Sequence, residues 1–424
     1  MTSLPSAARG PHALIAWLVA ALFFFYAFLQ RVSPSVMVEE LMREFAVGAA
    51  VLGHLSAFYF YAYAGLQIPI GVLMDRVGPR RLTTAAAALC ALGSLIFALA
   101  DSVAMASLGR LLVGAGAAFS WVGALTVITQ WLPPQRFALM GGLTQAVGML
   151  GAIFGQAPLA LAVGSLGWRA SVMALAVLAI VFTVALWLVI RDRPHAATSS
   201  IGIGEGLRHV AGNKQTWLNA LFGLTMTGPM LAFAGLWGVP WLTTVHGMER
   251  TTAAATLSLM FVGWAIGSPL LGGLSDHWRR RKPVMVCASA LAGLALAAVF
   301  YLPGLPLPLM AALIFAHGFG ASCMVLAFAS AREHNPDGLS SSTYGFINTA
   351  VIGSGALFQP LLGLLLDINW DGSLVAGTRV YGEAAYRLAF AVLPAGCMVG
   401  SLAALIGRES HARPLGSVLI KGFP

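Results

Sequence analysis

Arg31 is a basic residue in a place where one is costly. It closes a long apolar run, in the segment Tyr26-Ala-Phe-Leu-Gln30-Arg31-Val-Ser-Pro34. On insertion scales an intramembrane arginine costs about 2.5–3.5 kcal/mol unless it is paired or wetted. Its planar fork donates two parallel hydrogen bonds, which suits a carboxylate or a phosphate. The competing reading is an interfacial arginine snorkelling to the outer surface, because Pro34 follows closely. Further along, Tyr59, Tyr63 and Gln67 stand four residues apart and share one helical face. With Tyr26, Gln30 and Arg31 they can line a wet cavity of donors beside an apolar wall.

More polar and aromatic residues fall at depth: Trp121, Gln145, Asn219, Trp237, Trp241, Trp264, His317, Tyr344 and Asn348. Gln145 and Asn348 hold roughly equivalent places in two halves of the chain, as expected if each half offers one amide to a shared site. An amide inside a bundle also serves as helix-to-helix glue. Trp237 and Trp241 are one turn apart and could form a wall or gate; a lipid-facing placement is the equal alternative, above all for Trp241. His317 falls near mid-span and could titrate near neutral pH, against the plainer reading of a neutral histidine bonded to a neighbouring helix. Arg110 is a candidate for packing or for coupling. Every one of the 15 acidic residues falls at a helix end or in a linker, which weakens any carboxylate relay. No cluster of metal ligands or of catalytic groups appears, so neither a metal, a cofactor nor an enzyme is expected.

The elements that hold these residues are apolar. The chain is 58% hydrophobic and only 9% charged, with mean hydropathy +0.83, where soluble chains carry roughly 25% charged residues. A span needs about 20 apolar residues. That rule predicts an all-α integral membrane protein of twelve transmembrane helices, near 13–34, 48–74, 82–101, 104–130, 138–163, 170–190, 216–244, 251–275, 284–302, 307–331, 340–366 and 385–407. The polar stretch 191–215 separates a first six-helix bundle, 1–190, from a second, 216–424. Seventeen of the 24 Lys and Arg fall on one side and five on the other. The positive-inside rule then puts both termini in the cytoplasm. The net charge of +9 sits in short turns between apolar runs, a pattern that argues against a nucleic-acid partner. The four cysteines lie in apolar segments without C-x-x-C spacing and read as buried thiols.

Two turns show the duplication. Gly71-Val-Leu-Met-Asp75-Arg76-Val-Gly78-Pro-Arg80-Arg81 returns as Gly272-Gly-Leu-Ser-Asp276-His-Trp-Arg279-Arg280-Arg281. Gly148, Gly151, Gly155, Gln156 and Pro158 recur loosely as Gly353, Gly355, Gln359 and Pro360. Parallel six-helix repeats with a site at their interface are a common transporter build.

On these residues the chain resembles the major facilitator superfamily along nearly its full length. The first turn matches the family's signature loop, and Arg110-Leu-Leu-Val-Gly114-Ala-Gly116 is similar to its second motif. The second-half turn departs by carrying His277, Trp278 and Arg279. The resemblance implies the two-bundle fold, alternating access and a conformational latch at Gly71, Asp75, Arg76 and Arg80, echoed at Gly272, Asp276 and Arg281. The placement of Arg31 also resembles organic-anion members. A secondary carrier of a small carboxylate-type anion in a bacterial inner membrane is therefore expected, monomeric, with Arg31 as anchor. The alternatives are an exporter of amphipathic drugs or metabolites and a membrane sensor or scaffold without transport.

Overall fold

The computed structural model describes residues 11–133, 136–192, 203–336, 339–375 and 377–411. Among these are eleven helical stretches long and apolar enough to cross a membrane. A twelfth forms if Val38–Glu44 and Ala49–Ile70, bent by 113°, count as one span. The all-α reading therefore stands. Helices suit this medium because their backbone groups bond within the segment.

By spatial contact the chain divides into two compact units, Met1–Ser33 with Phe58–Thr198, and Pro34–Ala57 with Ser199–Pro424. The first unit holds α1 (Pro11–Val32) and most of α3 (Ala49–Val77), the short α2 (Val38–Glu44) between them belonging to the second. It continues with α4 (Pro79–Ala98), α5 (Val103–Trp131), α6 (Phe137–Phe154), α7 (Ala157–Leu166) and α8 (Trp168–Val189). Local chemistry sets the ends. Gly78 adopts φ +89° and Pro79 opens α4, a start that needs no amide from the proline. The Ser102 hydroxyl caps α5 by accepting from the Met105 amide. The expected fifth span, 138–163, is broken at Gly155 and Gln156, with Pro158 just beyond, where proline removes a helix donor. On α8, Val177, Ile180, Val181, Val184 and Leu188 are exposed while Val172, Leu175, Ala179 and Phe182 are buried. That apolar outer stripe fits lipid rather than water.

The second unit contains α9 (Ile203–Gly212), α10 (Lys214–Pro229), a π-helical stretch Met230–Trp237, and α11 (Gly238–His246). There follow α12 (Arg250–Trp278), α13 (Lys282–Tyr301), α14 (Leu307–Ala321), α15 (Val325–Glu333) and α16 (Ser340–Ile368). A two-residue hairpin of β1 (Leu374–Val375) and β2 (Thr378–Arg379) leads to α17 (Glu383–Phe390) and α18 (Val392–Ile406). The Glu249 carboxylate caps α12 through the Thr252 amide, and Arg279 ends that helix in the left-handed region at φ +50°. Asp367, at the end of α16, accepts from the amides of Ala49 and Ala50 at 3.2 and 2.9 Å, and from Arg379 and Tyr381. A carboxylate on the first amides of α3 is the favourable end of the helix dipole.

The duplication reappears in packing. A Cβ on Gly114 of α5 would lie 2.1 Å from the Tyr59 carbonyl oxygen, and one on Gly318 of α14 would lie 2.0 Å from that of Met260. Each helix pair thus touches backbone to backbone at its glycine. Gly114→Ala forces α5 off α3 and moves Tyr59. It is expected to cost about 1–3 kcal/mol, read as a lower thermal unfolding midpoint of the purified protein.

One expectation changes here and one alternative is decided. Cys287 is exposed, unlike the buried Cys90, Cys323 and Cys397, because an apolar segment has a lipid face as well as a core face. Trp241 is 3% exposed and takes the wall-forming alternative rather than the lipid-facing one; it packs on Phe233, Phe300 and Phe390. Tyr344 is exposed.

Candidate functional site

The first unit gathers a polar cluster around α1. Arg31 is 5% exposed, so it does not snorkel to a surface. Its guanidinium carbon sits 4.1 Å from the Phe28 ring centre and 5.1 Å from that of Tyr63, a cation–π cradle. The same guanidinium interacts with the Tyr59 and Tyr63 hydroxyls. Tyr59 donates its hydroxyl proton to the Ala27 carbonyl at 3.0 Å. The Arg31 Nε has no partner. An unbonded buried donor is costly.

Next to it, the Gln30 amide nitrogen donates to the Tyr26 hydroxyl at 2.6 Å and to the Ser94 hydroxyl at 2.8 Å. Tyr26 and Ser94 are themselves 3.0 Å apart. Arg110 reaches across from α5 and donates to the Gln30 carbonyl at 2.9 Å, with its carbon 5.0 Å from the Tyr59 ring centre. Arg31, Tyr26, Gln30, Tyr59, Tyr63 and Arg110 therefore form one group. Gln67 donates to the Tyr63 carbonyl at 3.4 Å. Trp121 stacks at 5.0 Å on Phe24 instead, and Gln145 is half-buried one residue beyond Thr144, which accepts from the Trp17 indole. Phe28 and Ser94 escaped the sequence reading; the only signal for Phe28 is its position one turn before Arg31.

In the second unit, Trp237 is fully buried and its indole donates to the Gln359 carbonyl at 3.1 Å. The Gln359 amide donates in turn to the Leu231 carbonyl at 2.8 Å. Leu231 lies in the π-helical stretch, whose widened turn leaves carbonyls in need of donors, so Gln359 of α16 supports the irregularity. His317 is fully buried and its Nδ1 lies 3.0 Å from the Ala292 carbonyl, while Nε2 has no partner. Asn348 is half-buried on α16.

For the turns, the side chains of Gly71, Asp75 and Arg76 lie outside the described residues, as do residues 193–202 of the linker. Arg80 donates from Nε to the Trp187 carbonyl at 3.0 Å and stacks over that indole, while its amide donates to Asp192. Gly272 faces open space. Arg281 binds Asp276 and forms a two-pronged pair with Glu333, at 2.7 Å from Nη2 and 3.2 Å from Nε. The Glu409 carboxylate accepts from the amides of Arg281, Lys282 and His411 at 2.9, 3.1 and 3.3 Å. Partial burial pushes the Glu409 pKa up, but those hydrogen bonds outweigh it and hold the carboxyl below its ordinary value. Its stabilisation is present above the unfolded-state pKa and is lost as pH falls through the lowered folded value. Acid titration of the unfolding midpoint is expected to show this loss, and Glu409→Gln to flatten it while lowering stability at neutral pH.

Comparison with known proteins agrees with this architecture. The model of the Major Facilitator Superfamily matches residues 18–358 and 220–419. A probable sulfoacetate transporter of Cupriavidus necator is 23% identical, over 62% of this chain and 65% of that protein. The probable L-galactonate transporter of Escherichia coli is 23% identical over 61% of each chain. The gentisate transporter of Corynebacterium glutamicum is 24% identical over 83% of this chain and 80% of its own. The matches thus span less than two thirds of the first two relatives. In fold, a bacterial homologue of the human lysosomal transporter Spinster has a TM-score of 0.73 at 18% identity, covering 94% of this chain and 96% of its own. The chain belongs to the Major Facilitator Superfamily, and its described residues hold eleven helical stretches long and apolar enough to cross a membrane, or twelve with the bent pair.

Proposed function

We propose that the chain moves a small organic anion by alternating access and that Arg31 anchors its carboxylate. One observation carries the reading: a buried guanidinium cradled by Phe28 and Tyr63, with its Nε unbonded. The sequence places no Asp or Glu in α1, α4, α5, α6, α7 or α8, nor between residues 58 and 74 of α3. The missing counter-charge is then supplied by the substrate. Three relatives are named for sulfoacetate, L-galactonate and gentisate, which supports an organic acid over a lipophilic cation.

The Tyr59 and Tyr63 hydroxyls hold and orient the guanidinium, with the Gln30–Tyr26 pair, Gln145 and Trp121 as further candidates in the same unit, and Trp237, His317 and Asn348 as candidates in the second. The basic turns face the cytoplasm, and the Asp276–Arg281 pair and its Asp75 counterpart act as latches in a monomer made of two six-helix repeats. The test is a thermal-shift screen of purified protein against carboxylates, phosphorylated metabolites and lipophilic cations. Stabilisation by carboxylates is expected. Stabilisation by lipophilic cations with none by anions sinks the reading.

A further inference from the structure

Arg31 is not the only guanidinium in this core without a counter-ion. Arg110 is 1% exposed, and of its nitrogens only Nη1 has a hydrogen bond here, to the Gln30 carbonyl. Its Nε and Nη2 are buried without partners. With the Arg31 Nε, that makes three unbonded guanidinium nitrogens in one cluster. Tyr59 joins the two arginines: its hydroxyl interacts with Arg31, its ring lies 5.0 Å from the Arg110 carbon, and its ring centre is 5.8 Å from that of Tyr63, which Arg31 faces. The two cations are thus within one tyrosine of each other.

Two like charges in a low-dielectric core repel and need compensation. The spans of this unit supply no carboxylate to do it before Asp75, in the last turn of α3. A carbonyl and two aromatic faces delocalise a charge without cancelling it. Nor is the second charge a feature of both repeats: registering Gly114 on Gly318 puts Ile314 where Arg110 stands. Gln30 donates its own amide protons to Tyr26 and Ser94, so only its neutral backbone oxygen serves Arg110. A single carboxylate neutralises one of the two guanidiniums and leaves the other.

We propose that the site takes a dianion, a small organic acid with two ionised acidic groups, the first held at Arg31 and the second neutralising Arg110. The inference rests on the anion-anchor reading and adds the charge of the substrate and a second residue that contacts it. It makes Arg110 a specificity determinant, selecting doubly over singly charged acids through a fork that fits a second carboxylate, sulfonate or phosphate.

The test uses matched pairs on the full-length purified protein: malonate against acetate, succinate against butyrate, and sulfoacetate against methanesulfonate, with inorganic phosphate as the non-carbon dianion. In wild type, the dianion of at least one pair is expected to bind about tenfold or more tightly than its partner, as two charge-assisted bonds exceed one. Arg110→Gln is expected to shrink that ratio to about twofold, dianion affinity falling further than monoanion affinity. Arg110→Lys keeps the charge and retains a preference for the dianion, and it carries the test if the glutamine variant does not fold. Phosphate binding in place of the organic pairs also supports a dianion site. If mono- and dianions bind wild type equally and both are lost in Arg31→Ala, the dianion proposal fails and the anchor stands. If anion binding survives Arg31→Ala unchanged, both fail.

Discussion

Arg31→Ala is expected to abolish anion transport while the protein folds as well as before. On the proposed reading the guanidinium is the buried charge that the substrate meets, and truncating one partner of a buried, hydrogen-bonded charge pair costs about 3 kcal/mol, a loss of roughly two orders of magnitude in affinity. Stability moves the other way. The native state keeps a desolvated cation whose Nε has no partner, so its removal relieves a cost that the interactions with Tyr59 and Tyr63 only partly offset. Flux into proteoliposomes and the unfolding midpoint, measured on the same preparation, are expected to diverge: flux at background, midpoint unchanged or raised. A fall in both would mark Arg31 as a structural residue.

Glu333→Ala has the opposite signature. Glu333 holds Arg281 through Nη2 and Nε and also accepts from the Ser410 hydroxyl, and Arg281 and Glu333 are both largely buried. Removing one partner leaves a largely buried cation with the exposed Asp276 as its remaining ion-pair partner and the neutral Ser275 hydroxyl at 3.1 Å. Breaking such a pair costs about 3–5 kcal/mol. The unfolding midpoint is expected to drop sharply. Replacing both members by leucine should recover much of the loss, because no charge is then stranded. Failure of the double variant to recover would mean that the pair acts through the Ser410 and Glu409 contacts rather than through charge.

The two predictions differ in how far the sequence foretold them. Arg31 was legible because an arginine in an apolar run breaks a strong compositional rule, and the duplicated turns located Asp276 and Arg281 for a similar reason. The spans were legible from length and hydropathy, since a bilayer leaves few choices. Partners were not. Glu333 lies 52 residues from Arg281, and no local pattern joins them. Gln359 could be aligned with Gln156, yet that it carries the Leu231 carbonyl depends on a π-helical turn that residue types do not announce. Hydropathy also cannot tell a core face from a lipid face, which is why Cys287 is exposed against expectation and Trp241 stayed open between the two. The bend between α2 and α3 was likewise hidden: a break of four residues, 45–48, turns the chain by 113°.

The central claim is that a substrate anion is neutralised by Arg31. Its most direct test is a binding isotherm, with the best-stabilising carboxylate of the screen titrated into wild type, Arg31→Lys and Arg31→Ala at matched folded fractions. Binding is expected to be saturable in wild type, weaker in the lysine variant, which keeps the charge without the fork, and absent in the alanine variant. Equal affinity for wild type and Arg31→Ala would contradict it.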